Sequence, residues 1–262
     1  MKYKQIILFF LIALPVSLSL RFTQLFQIVE PNTGFFKMEF EGVGGAITLI
    51  LLAIALVLAL FSFFSHRSPE KAPKVNLGLG LASGLLAAAI AIELYFGSET
   101  FGTVMWQKIL LYVFGIAAIL WFAAYSIKDF INIPLPALTS IIPCIYFIFK
   151  IICNFAGISS LALISDNVLL ITSYCVVLLF MISFAKLQNN LDAERGFKKL
   201  LATGLSASVL CFTQSVPNIA YHFAVKEGYT HTAMVTNLSL FFTGVFITTF
   251  VFTHFSKKNT NR

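Results

Sequence analysis

Long apolar blocks alternate with short polar segments along the whole chain, and each block is close to the length that crosses a hydrocarbon core about 30 Å thick. The pattern predicts eight spans: Gln5–Val29, Val43–Phe64, Val75–Phe96, Val104–Ile127, Pro134–Asn154, Ser160–Ala185, Phe197–His222 and His231–His254. Backbone polar groups in lipid must be satisfied within the segment, so continuous blocks of this length are helices. The period-2 alternation of a membrane barrel is absent. The expected fold is all-α, a polytopic transmembrane bundle forming a single domain over residues 1–262.

The first span poses a separate question. Its basic start and the apolar run Ile6–Leu20 suit a secretion signal, with Ser17–Leu18–Ser19 the best cleavage candidate. Beyond that point Arg21, Gln24 and Gln27 recur every third residue while apolar residues fill the other sides. Residues three apart share a helix face. The expectation is therefore an uncleaved helix with a polar stripe toward its neighbours; cleavage would leave seven spans. Glu30–Thr33 reads as a turn, and Phe35, Phe36 and Phe40 place the following segment in the membrane interface. Arg21, Gln24 and the PNTGFF turn at residues 31–36 resemble those of multi-pass bacterial membrane proteins that have no assigned role. The resemblance spans roughly the first forty residues and implies an inner-membrane location, with no chemistry attached.

Composition agrees with the pattern, at 58% hydrophobic and 11% charged against about 25% charged in an average soluble domain. Net charge is +7, and its distribution decides what that means. One set of loops and termini holds 13 of the 18 basic residues, among them Lys2, Arg67, Lys128, Arg195 and Lys257, but only Glu70, Asp129, Asp192 and Glu194 of the 11 acids. The positive-inside rule puts that set and both termini in the cytoplasm of a cell (inner or plasma) membrane. The basic excess serves topology and anionic headgroups, and a nucleic-acid partner is excluded. The implied partners are the bilayer and either another membrane protein or a second copy of the chain.

Ionisable and amide side chains inside spans are costly and mark candidate sites. Arg21, Gln24, Glu93, Lys108, Lys150, Asp166, Gln214, Asn218, His222 and Asn237 all fall in the outer halves of their helices. They predict an outward polar cavity that binds a small solute or lipid-like ligand, for transport or sensing. Glu93 is positioned to pair with Lys108, and Asp166 with Lys150 or Arg21. Pro217 interrupts the seventh helix beside Gln214. The competing account is that the long charged side chains snorkel to the interface and the amides bond between helices.

Gly80, Gly84 and Ala88 form a small-residue stripe for close helix packing, and Gly204 with Ser208 a weaker one. Such stripes also suit a non-catalytic subunit that packs on another membrane protein, which is the second functional reading. The third is an intramembrane enzyme using Asp166, Glu93 and His222. No nucleophile and base have recognisable spacing, so no catalytic residue is assigned. No cofactor motif is present; LGLGLASG at residues 77–84 follows no strand and is not a dinucleotide fingerprint. His222 and His231 with Asp166 meet no metal-ligand spacing, and Cys144, Cys153, Cys175 and Cys211 form no CxxC pair, so no metal site is assigned.

Overall fold

A computed structural model describes residues 3–30, 35–64, 75–97, 105–132, 135–157, 165–189, 191, 193–224 and 234–256. Among them are eight helices long and apolar enough to cross a membrane. They are α1 (Tyr3–Thr23), α2 (Glu41–Phe63), α3 (Leu77–Phe96), α4 (Met105–Ile127), α5 (Ile141–Gly157), α6 (Ser165–Gln188), α7 (Ala193–Ala224) and α8 (Met234–Ser256). The protein is an all-α, multi-pass bundle. Leu8, Leu49, Leu56, Leu81, Leu120 and many other large apolar side chains stay exposed, a surface that suits lipid and not water. The helix α7 is the central element: it packs on α1, α2, α6 and α8, and α3, α4 and α5 close the far side through α8 and α6.

Eight spans in succession alternate in direction. One end of the bundle, here called proximal, holds the start of α1 and the end of α8; the other is distal. The core differs between the two ends. Toward the proximal end it is aromatic: Trp121 and Tyr125 of α4 stack with centroids 5.1 Å apart, Phe184 of α6 meets both edge-on, and Phe246 and Phe250 of α8 complete the cluster. Toward the distal end it carries ionised and amide groups.

Several boundaries differ from the sequence expectation for identifiable reasons. The fifth span begins late, with a 3₁₀ turn at Ala137–Ser140 leading into α5. Pro136 caps that turn, and Pro143 sits in the first turn of α5, where a missing N–H leaves no intrahelical bond unmade. Asn132, at φ 54°, takes the left-handed conformation just after α4 that asparagine tolerates. The charged connector at residues 186–199 is mostly helix: α6 runs to Gln188, and α7 starts at Ala193. The turn assigned to Glu30–Thr33 falls largely outside the described residues, but its flanks are paired. Val29 and Phe36 form an antiparallel bridge, and the Glu30 N–H donates to the Phe35 carbonyl at 2.8 Å.

The small-residue stripe on α3 serves packing inside the chain at one end only. A Cβ on Gly80 would lie 2.7 Å from the Ser126 carbonyl oxygen of α4, and the Ser83 hydroxyl donates to the Phe122 carbonyl at 2.7 Å. Gly84 has only ordinary contact with Ser126, and Ala88 faces outward. Gly204 is closely packed by Val251 of α8 and Phe180 of α6.

Candidate functional site: two buried charge centres

Arg21 comes near the end of α1 and has no exposed surface. Its Nη2 donates to Asp166 Oδ1 at 2.6 Å, tying α1 to the first turn of α6. The same carboxylate oxygen accepts from Gln214 Nε2 at 2.6 Å and Asn218 Nδ2 at 2.8 Å, both from α7. Gln214 also turns its Oε1 toward Arg21 at 3.5 Å, so one amide addresses both charges. Gln214 and Asn218 lie four residues apart and share a face of α7. Pro217, between them, withholds the N–H that would bond the Thr213 carbonyl, and the Asn218 side chain donates to the Gln214 carbonyl at 2.8 Å.

After Thr23 the helix widens into a π turn at Gln24–Ile28. Such turns are frequent at functional sites. Here it presents Gln24, whose Oε1 accepts from Arg21 Nη1 at 2.5 Å and whose Nε2 donates to the Gly44 carbonyl and to Thr48 Oγ1, each at 2.8 Å, on α2. Gly44 has no room for a side chain, because the Phe36 ring occupies the place of its Cβ. The expected stripe breaks at Gln27. The wider turn shifts the register by a residue, Gln27 becomes exposed, and its carbonyl accepts from Lys37 Nζ at 2.9 Å.

The second centre joins α3 and α5. Glu93 and Lys150 are ion-paired, and both are almost completely buried. The Lys150 ammonium lies 5.9 Å and 5.5 Å from the ring centroids of Tyr146 and Tyr174. The Tyr146 hydroxyl neighbours Glu93 and Ser239 of α8. Asn237, one turn from the start of α8, is buried at the same end.

Of the ten candidates, eight are therefore buried, and five of those (Arg21, Gln24, Asp166, Gln214 and Asn218) form one continuous network. Two are not. Lys108 is half exposed and belongs to neither ion pair, so its expected pairing with Glu93 is replaced by Lys150. His222 is exposed: eight residues after Gln214 it has rotated off the shared face. Thr48 and Ser165 were missed by sequence reasoning, since a lone hydroxyl in an apolar helix gives no signal until its partners are known. Tyr146 and Tyr174 were missed for a related reason, because tyrosine is common in membrane helices at the interface.

No group of three or more histidine, cysteine, aspartate or glutamate side chains among the described residues is arranged to hold a metal ion; His231 lies outside them. All four cysteines are free. Compared with protein-family models, with curated proteins and with solved structures, the chain matches none.

Proposed function

We propose that the chain binds a small polar solute or lipid-like ligand at the Arg21–Asp166 centre, between α1, α6 and α7, and that it transports the ligand across the cell membrane or senses it. The carrying observation is a guanidinium with no exposed surface held by one carboxylate and two amides from three helices. A bundle does not need such a group. Apolar residues of similar volume in place of a buried ion pair are often neutral or stabilising. Ionised residues kept inside a span mark pathways and binding sites by default. Arg21 Nε is also buried without a hydrogen-bond partner, so the guanidinium keeps a donor in reserve.

The geometry suggests how a ligand is accepted. A carboxylate or phosphate on the ligand replaces Asp166 at Arg21. Gln214, which already addresses both charges, holds Asp166 in the meantime. The structure described here is the closed state of this cycle, with the distal end facing outward and both termini in the cytoplasm.

The test is accessibility. Thr48 borders the centre through Gln24 and is buried. In a background lacking the four native cysteines, Thr48→Cys is expected to react slowly with a membrane-impermeant maleimide applied from outside. A panel of amino acids, short dicarboxylates and lysophospholipids is expected to contain a compound that changes the rate. A cysteine that stays unreactive from both faces, with no compound shifting the melting temperature, sinks the reading.

A further inference from the structure

The proximal end of the bundle contains a pocket that the charge centres do not explain. Its volume is ≈ 70 Å³, and it lies where α4 and α6 end and the chain enters α5. A water needs about 10–15 Å³ by this kind of measure, so the space admits a group larger than one water. The walls are Trp121, Tyr125, Lys128, Leu135, Pro136, Thr139, Ser140 and Gln188, and the argument rests on four of them.

Those four are hydrogen-bond donors, and no acid lines the pocket. Tyr125 is 1% exposed, yet its hydroxyl has no hydrogen-bond partner. Gln188 Nε2 is likewise buried without one. The Ser140 hydroxyl accepts from Asn189 Nδ2 at 3.1 Å, which leaves its own hydrogen to donate. Lys128 follows the last residue of α4, and its ammonium lies 4.6 Å from the Tyr125 ring centroid. The one carboxylate nearby, Asp129, is turned away and accepts from the Val75 N–H at 2.5 Å. An ammonium and three neutral donors around one space, with buried donors left unmade, call for an acceptor with several oxygens.

We propose that this pocket binds a phosphate-type oxyanion. Lys128 supplies the charge, and Tyr125, Gln188 and Ser140 supply directed hydrogen bonds. The pocket lies at the membrane-facing end of α4, so the source is either the phosphate of a phospholipid headgroup or a soluble phosphate.

Trp121 in the wall is one of only two tryptophans, and the other, Trp106, faces outward. With Trp106→Phe as background, Trp121 fluorescence reports the pocket directly. The purified full chain in phosphate-free maltoside is titrated separately with sodium phosphate and short-chain phosphatidylglycerol, with sodium chloride as the ionic-strength control. A saturable change that chloride does not reproduce is expected. Lys128→Gln is expected to weaken it at least tenfold, Tyr125→Phe several-fold, and Lys128→Arg to restore it in part. A response to the lipid alone assigns a headgroup; a response to phosphate assigns a soluble ligand. No saturable response to either, or a folded Lys128→Gln protein that titrates like its parent, overturns the proposal.

Discussion

Glu93 on α3 pairs with Lys150 on α5 and leaves Lys108, on the adjacent helix α4, partly exposed. Removing one member of a buried pair strands the other, which costs about 3–5 kcal/mol, whereas replacing both with apolar groups is often neutral. Glu93→Gln and Lys150→Met are each expected to lower the melting temperature in detergent sharply. Glu93→Leu combined with Lys150→Met is expected to recover most of the loss. Lys108→Gln should stay within about 0.5 kcal/mol of the parent, as surface changes do. A thermal-unfolding series on these four proteins checks all of it.

The Arg21–Asp166 centre allows a sharper separation of structure from function. Arg21→Met and Asp166→Leu are each expected to destabilise by about 3–5 kcal/mol, and the double variant to regain stability. Under the proposed function, the ligand response stays lost in the double variant, because no cation remains to receive a ligand. If the pair were only a strut, the restored protein would respond to ligand like the parent. Asp166→Asn completes the series: it keeps an acceptor for Gln214 and Asn218 and removes only the charge.

The spans were legible because lipid permits few backbone solutions, and a block of some 20 apolar residues already names one of them. Burial of Arg21, Gln24, Glu93 and Asp166 was legible for the same reason, since charge and amide groups in such blocks seek partners. Which partner each one takes was not legible. Depth along a helix follows from residue number, but azimuth depends on helix order and rotation. Glu93 and Lys108 share a depth on consecutive helices, and still α5 supplies the lysine. The π turn after Thr23 shows the limit most clearly: it left the polar stripe intact in sequence and sent Gln27 to the surface. The proximal pocket was invisible because its donors (Tyr125, Lys128, Ser140 and Gln188) read as ordinary interface residues.

Glycine positions give a prediction free of electrostatics. Gly80→Ala would bring Cβ to 2.7 Å from the backbone oxygen of Ser126, which cannot yield without moving α4. Overpacking of this kind costs about 1–3 kcal/mol. Gly44→Ala meets the Phe36 ring and is expected to cost a similar amount, with the added effect of displacing the Gly44 carbonyl from Gln24. Gly42→Ala has nothing within 4 Å, and alanine favours helix over glycine by about 1 kcal/mol, so this variant should be neutral or slightly more stable. Melting temperatures in that order check the packing of α3 on α4 and of α2 on the Phe36 segment.

Orientation decides which solution each site meets. The termini and alternate loops carry 13 of the 18 basic residues, and segments of this length obey the positive-inside rule. A fluorescent protein fused after Arg262 is therefore expected to fold and fluoresce in the cytoplasm. Alkaline phosphatase, active only outside, should be active when fused within residues 98–104 or 225–233 and inactive within 65–74. The reverse pattern would turn the Arg21–Asp166 centre toward the cytosol and the Lys128 pocket outward. In that case the maleimide experiment on Thr48→Cys would have to be run from the other face. The expected pattern places Lys128 at the cytoplasmic leaflet, where anionic headgroups concentrate and a donor-lined pocket meets its ligand.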